Sequence, residues 1–86
     1  MAKYNEMNEL AQKFIDKAIT AAVNACIHRE RKEYKQMNRY LGEKDAYIHA
    51  AAIADNAENP QYGETYGIYC ERFIEKHSLS LFEKAA

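Results

Sequence analysis

The apolar residues at the start of this chain recur every three or four positions, the spacing that puts them on one side of an α-helix. The stretch over residues 2–41 contains neither proline nor glycine, and Gly42 is the first residue suited to end a helix. We therefore predict one long N-terminal helix. At about 1.5 Å per residue it would be roughly 55 Å long, too long for a compact domain of this size. The helix must bend, or a partner must cover it.

The apolar side of this predicted helix changes direction along its length. Two stripes lie about 120° apart, and the region between them is apolar over more than half of the circumference, as in a helix buried on two sides. No single heptad register runs through the stretch, which disfavours a simple coiled coil. We expect a bend near residues 24–28 or two different neighbours along one helix. The residues assigned to the core or to a dimer interface are Ile15, Ile19, Val23, Cys26 and Ile27.

Two shorter helices are predicted after Gly42. Asp45 is suited to cap the first of them, which ends before Pro60 because the residue before a proline avoids helical geometry. The second covers about residues 64–77, and Ser80 to Glu83 has the spacing of a capping box and predicts a short C-terminal turn. No segment alternates like a β-strand. The expected fold is one all-α domain over residues 1–86. It has three helices, of which the N-terminal one is long and either straight or bent.

The compartment is inferred from the cysteines and from the apolar runs. Cys26 and Cys70 lie among apolar residues and form no C-x-x-C motif, so we expect buried free thiols. The first residues lack the apolar segment of a signal peptide, and no apolar run approaches the roughly 20 residues that span a bilayer. We expect a cytoplasmic protein without a membrane partner.

The sequence contains cysteines and histidines that could bind a metal ion, but their spacing does not bring them to one ion. Cys26 and His28 are two positions apart and point to nearly opposite sides of a helix, and Cys70 and His77 are about 10 Å apart along one. Core thiols and a partly buried histidine are the simpler interpretation. We expect no metal and no cofactor.

Catalysis has one weak candidate. Asp45 and His49 could pair at positions i and i+4, but such a pair is commonly an exposed helix contact, and no nucleophile accompanies it. The three glycines form no phosphate-binding loop. We expect no enzymatic activity.

Charge is balanced over the chain, with 12 basic and 13 acidic residues, but it is uneven locally. On a continuous helix, five basic side chains would share one face: His28, Arg31, Lys32, Lys35 and Arg39. Such a face could follow the phosphates of DNA or RNA. It could equally be a solvated surface, because Glu30 and Glu33 interrupt the positive charge.

The seven tyrosines are the second unusual feature of the composition. Tyrosine is enriched in protein interfaces, but in a small domain without tryptophan it can also form the edge of the core. Both interpretations stay open. The residues predicted to contact a partner combine the basic stretch with the nearby tyrosines: Arg31, Lys32, Tyr34, Lys35, Arg39, Tyr40 and Tyr47.

The sequence therefore favours a small non-enzymatic protein-binding module that acts by occupying a surface. It would be an adaptor, a regulator or an inhibitor, including the kind of inhibitor that bacterial viruses use against host defence systems. Its partner would be another protein, itself as a homodimer, or both. The alternative is a DNA- or RNA-binding regulator that uses the basic helix face from His28 to Arg39.

Overall fold

The computed structural model describes the backbone of residues 3–85 and the side chains of residues 3–77. The chain forms four α-helices: α1 (Lys3–Glu6), α2 (Glu9–Glu30), α3 (Tyr34–Asp55) and α4 (Tyr62–Ala85). There is no β-strand in the described part of the chain. The all-α prediction with three main helices is confirmed, although the helix boundaries differ from those expected.

The predicted helix over residues 2–41 is interrupted after residue 30, beyond the expected bend. Lys32 adopts a left-handed backbone conformation, with φ at 61°. Its N–H donates to the carbonyl oxygen of Arg29 at 3.0 Å, and the N–H of Glu33 donates to that of His28 at 2.9 Å. These two bonds form a Schellman motif, in which glycine usually takes the left-handed position. Lysine takes it here, so no glycine marks the break in the sequence.

The other helix ends also depend on local hydrogen bonds. The Asn8 side chain caps α2 by accepting a hydrogen bond from the N–H of Ala11 at 2.9 Å. Gly42 and Asp45, predicted to end one helix and to begin the next, both lie inside α3. α4 is continuous to Ala85 and replaces the predicted third helix and its separate C-terminal turn.

The α2 and α3 helices form an antiparallel hairpin with a short turn. The Asn8 side-chain amide donates to the carbonyl oxygen of Ala54 at 2.7 Å, which joins the start of α2 to the end of α3. Most residues buried between the helices are alanines, and their small side chains allow close approach. The buried alanines are Ala11, Ala18, Ala21, Ala22, Ala25, Ala51 and Ala52. Ile15 and Ile48 are the largest fully buried side chains in the described part of the chain.

The α4 helix packs against α1, α2 and α3, and buries Thr65, Ile68 and Tyr69. Together α3 and α4 cover most of the apolar surface of α2 within the chain, but Leu10 and Ile27 of α2 stay exposed. The molecule measures 40 × 26 × 18 Å. Ile15 and Ile19 belong to this core, and Val23 packs against it.

The expected roles of two other residues on α2 change with the fold. Ile27 was predicted to lie in the core or in a dimer interface; its exposure of 39% excludes the core, and its place in a dimer interface stays a prediction. Cys26 is half-buried. Both lie near the turn end of α2, beyond the part of the helix that the core covers most completely.

A polar cluster fixes α4 against α1 and α2. The Tyr4 hydroxyl donates to Asp16 Oδ2 at 2.9 Å, and the Arg72 guanidinium lies 4.1 Å from the centre of the Tyr4 ring. Arg72 Nε and Lys76 Nζ lie 4.0 and 3.9 Å from Asp16 Oδ1. Burial and the hydrogen bond to Asp16 raise the pKa of Tyr4. The phenol therefore stays protonated as the donor in this cluster.

Candidate partner-binding site

A pocket of about 230 Å³ lies near the α2–α3 turn, between α2, α3 and α4. Its walls are mostly apolar. The lining residues are Ala22, Ala25, Cys26 and Arg29 of α2, Met37, Leu41 and Lys44 of α3, and Tyr69 and Phe73 of α4.

The pocket results from a mismatch of side-chain size. Below its rim, α2 supplies only alanine and cysteine at this level, while α3 and α4 supply Met37, Leu41 and Phe73. The long side chains hold the helices apart, and the short ones leave the gap between them unfilled. We name this gap the turn-end pocket.

Two cationic side chains border the turn-end pocket. Arg29 is exposed, and no carboxylate among the described side chains lies within 4.0 Å of it. The ammonium of Lys44 lies 5.7 Å from the centre of the Tyr66 ring and 3.2 Å from Asp45 Oδ1. Asp45 offsets part of the Lys44 charge, so Arg29 supplies most of the positive charge at the rim.

The polar atoms inside the turn-end pocket come from a thiol and a phenol. Cys26 and Cys70 are both free, as predicted, but each is half-buried rather than buried, and Cys70 packs against the core. Burial is the main cause that raises the pKa of Tyr69, which is 7% exposed. The neutral Tyr69 phenol adds no charge to the pocket.

The basic face predicted on a continuous helix does not form, because α2 ends at Glu30. His28 Nδ1 instead lies 2.8 Å from Glu33 Oε1, and its ring stacks on Tyr40. Arg39 Nε lies 3.8 Å from Glu43 Oε2. The other basic residues of the stretch are exposed at or beside the turn: Arg31, Lys32 and Lys35. These three lie at the same end of the hairpin as the turn-end pocket.

The predicted tyrosine cluster is divided between two surfaces. Tyr34 is 55% exposed at the start of α3. Tyr40 and Tyr47 lie along a different groove, whose lining residues come from α2 and α3. Tyr69 belongs to the core, whereas Tyr62 and Tyr66 are exposed. Tyr69 thus agrees with the core interpretation, and an interface role for the exposed tyrosines stays a prediction.

The weak catalytic candidate is not assembled. His49 packs against the Tyr62 ring, with ring centres 4.8 Å apart, while Asp45 lies beside Lys44. In the part of the chain that the structure describes, no three or more histidine, cysteine or acidic side chains are grouped to hold a metal ion. Nor do the described helices include one with the length and hydropathy to cross a bilayer.

Sequence reasoning missed the apolar residues that form the pocket walls on α3 and α4. Met37 and Leu41 fall within the helix predicted over residues 2–41, and Phe73 falls within the one predicted over about residues 64–77. The turn at Lys32 brings these side chains together, and no glycine or proline signals that turn. Comparisons of the chain with protein-family models, with curated proteins and with solved structures give no match.

Proposed function

We propose that this chain is a non-enzymatic protein-binding module that inserts one apolar side chain of a partner into the turn-end pocket. It acts by occupying the partner's surface, as an adaptor, a regulator or an inhibitor, including an inhibitor of a host defence system. The observation that carries the proposal is the apolar pocket beside Arg29, which is exposed and has no carboxylate of the described side chains within 4.0 Å.

The size of the pocket supports a side chain as its occupant. Pockets for cofactors and drug-sized ligands are typically about 300–1,000 Å³, whereas an apolar cavity of about 150 Å³ already holds benzene. At about 230 Å³ the turn-end pocket suits one aromatic or branched aliphatic group. Interfaces are commonly anchored by one such side chain in a desolvated pocket.

The charge around the pocket supports an acidic partner. Arg29 lies at the rim, and Arg31, Lys32 and Lys35 are exposed at the adjoining turn. A carboxylate next to the inserted apolar group would pair with Arg29, since arginine binds carboxylates in a planar, bidentate geometry. We also propose a cytoplasmic location, where thiols stay reduced, because Cys26 and Cys70 are free.

A small aromatic acid tests the pocket directly. We expect 3-phenylpropionate to bind in the millimolar range and to shift the amide resonances of Ala25, Cys26, Leu41 and Phe73 in a ¹⁵N-correlated NMR titration. The uncharged 3-phenylpropanol should bind more weakly, because it cannot pair with Arg29. The Cys26→Met variant should lose both responses, since the longer side chain fills the pocket. Glu71→Met is the matched control, because Glu71 is exposed on α4 and lies nearly opposite to Tyr69 and Phe73 around that helix.

Affinity capture from nuclease-treated extract of the native host tests the function. The wild type and Glu71→Met should recover the same protein at a one-to-one ratio, and Cys26→Met and Arg29→Glu should lose it. Equal recovery by all four forms would refute the pocket as the binding site. Recovery that nuclease abolishes, with affinity falling steeply as salt rises, would instead support the nucleic-acid alternative.

A further inference from the structure

A second groove lies on the side of the α2–α3 hairpin that faces away from the turn-end pocket. Its volume is about 250 Å³, and its lining residues are Lys17, Thr20, Ala21 and Asn24 of α2 with Tyr40, Glu43 and Tyr47 of α3. Lys17 and Cys26 are nine residues apart on α2, which places them on opposite sides of that helix. We name this side of the hairpin the outer face.

The outer face is apolar toward the end where α2 begins. Leu10 is 56% exposed and lies one helical turn from Phe14. The Phe14 ring stacks on Tyr47 across the hairpin, with ring centres 6.3 Å apart. Lys17 continues the same line of side chains, so apolar and charged positions share one edge of the groove.

We propose that a second copy of this chain docks on the outer face, with the two-fold axis parallel to α2 and α3. The opposite charges on the two walls of the groove carry the proposal: Lys17 lies on the α2 wall and Glu43 on the α3 wall. A two-fold axis along the groove exchanges the two walls. Each Lys17 then faces the Glu43 of the other copy, and the pair occurs twice.

The same register pairs the apolar residues. Leu10 precedes Lys17 by seven positions, and Ala50 follows Glu43 by seven positions. Because α2 and α3 are antiparallel, and Phe14 stacks on Tyr47 while Asn8 bonds to Ala54, these two positions lie within about one helical turn of the same level. The exposed Leu10 of one copy therefore lies over the small, half-buried Ala50 of the other. One symmetric arrangement satisfies both the charged and the apolar contacts.

The outer face is large enough for a modest dimer. α2 and α3 have 22 residues each. At about 1.5 Å per residue and roughly 8–10 Å between axes, the pair presents a face of about 33 by 20 Å. This is somewhat below the roughly 800 Å² per partner of a standard interface. We therefore expect a dissociation constant in the micromolar range. The inference does not depend on the proposed function of the turn-end pocket.

A charge exchange tests this register. Sedimentation equilibrium from about 1 µM to 1 mM should show a dimer for the wild type. Lys17→Glu and Glu43→Lys should each raise the dissociation constant roughly tenfold or more, because both contacts become repulsive. An equimolar mixture of the two variants should form a dimer again, since every contact in the mixed pair joins opposite charges. Leu10→Asp should abolish dimerisation, and the control Ile74→Asp, at an exposed α4 position, should preserve it.

Circular dichroism would verify that each variant keeps its helix content. A monomeric wild type at the highest concentration would overturn the proposal. So would a dimer that survives both single charge changes, or a mixture of the two variants that stays monomeric.

Discussion

The break between α2 and α3 can be tested by two substitutions with expected effects of the same sign. Lys32 holds a left-handed conformation that costs a residue with a side chain about 1–2 kcal/mol. Glycine adopts this conformation freely but loses more entropy on folding, by roughly 0.5–1 kcal/mol. We expect Lys32→Gly to stabilise the fold by about 0.5–1 kcal/mol.

Gly42 is the opposite case, a glycine at a position where a residue with a side chain would be more stable. It lies inside α3, its φ is not positive, and a Cβ added there would meet no atom within 4 Å. Alanine is about 1 kcal/mol better than glycine in a helix interior. We therefore expect Gly42→Ala to stabilise the protein by about 1 kcal/mol. The two sites are about 15 Å apart at the standard helical rise, so their effects should add to roughly 1.5–2 kcal/mol.

Thermal and urea unfolding followed by circular dichroism at 222 nm would measure these changes. Each kcal/mol corresponds to about 4–8 °C in the melting temperature for a domain of this size. Lys32→Ala is the control for the side chain and should change little, because alanine meets the same left-handed cost. Lys35→Gly, at an exposed position in α3, should destabilise. If instead one helix covered residues 2–41 and ended at Gly42, both Lys32→Gly and Gly42→Ala would destabilise the protein. That result would refute the break at Lys32.

Two further predictions concern the core. Ile48→Ala should cost about 2–5 kcal/mol of unfolding free energy because Ile48 is 1% exposed, whereas Ile53→Ala on the same helix, where Ile53 is 48% exposed, should cost less than about 1 kcal/mol. Urea midpoints would measure the difference, and equal losses would contradict the described orientation of α3. Burial raises the pKa of Tyr69 above its value of about 10 in the unfolded chain. The protonated phenol therefore contributes fully to the free energy of unfolding below about pH 10, and this contribution is lost as pH rises further. Urea unfolding between about pH 8 and pH 11 should therefore show a smaller alkaline loss of stability for Tyr69→Phe than for the wild type, and equal losses would contradict this assignment.

The fold class could be predicted from the sequence because helical periodicity is a local property. The apolar spacing over residues 2–41 identified helix correctly for most of that stretch, and the assignment of Ile15 and Ile19 to a buried surface agrees with their exposures of 0% and 2%. Which part of the chain covers these buried residues does not follow from local spacing. It depends on where the chain reverses, and α3 and α4 supply the contacts that the sequence assigned to a bend or a partner.

The sequence analysis missed the position where the chain reverses, because it took Gly42 rather than Lys32 as the residue that ends the first helix. Gly42 is the conventional marker of a helix end, yet it lies within α3. Lys32 takes the left-handed position, and the hydrogen bonds of Lys32 and Glu33 to the last turn of α2 hold it there. Packing of the alanine-rich α2–α3 interface outweighs a local cost of about 1–2 kcal/mol.

This displacement explains why the candidate sites also differ from those predicted. Moving the helix end from Gly42 to Glu30 turns Met37 and Leu41 back toward α2 and divides the expected basic face between two helices and a turn. The positive charge stays near the turn, but an apolar pocket now lies beside it. That combination is the reason for proposing a partner with both an apolar and an acidic group rather than a regular array of phosphates.

If the turn-end pocket binds a partner as proposed, filling it should affect both stability and binding. Side chains around an unfilled apolar gap lose packing contacts, so filling a gap commonly stabilises a protein by about 0.5–2 kcal/mol. Cys26→Met extends an apolar side chain into this space, and a stabilised variant that no longer binds the partner would show that the gap is retained for binding. The small residues of α2 at this level, Ala22, Ala25 and Cys26, would then leave room for a side chain that the partner supplies. Packing that is incomplete in the isolated chain would become complete in the complex.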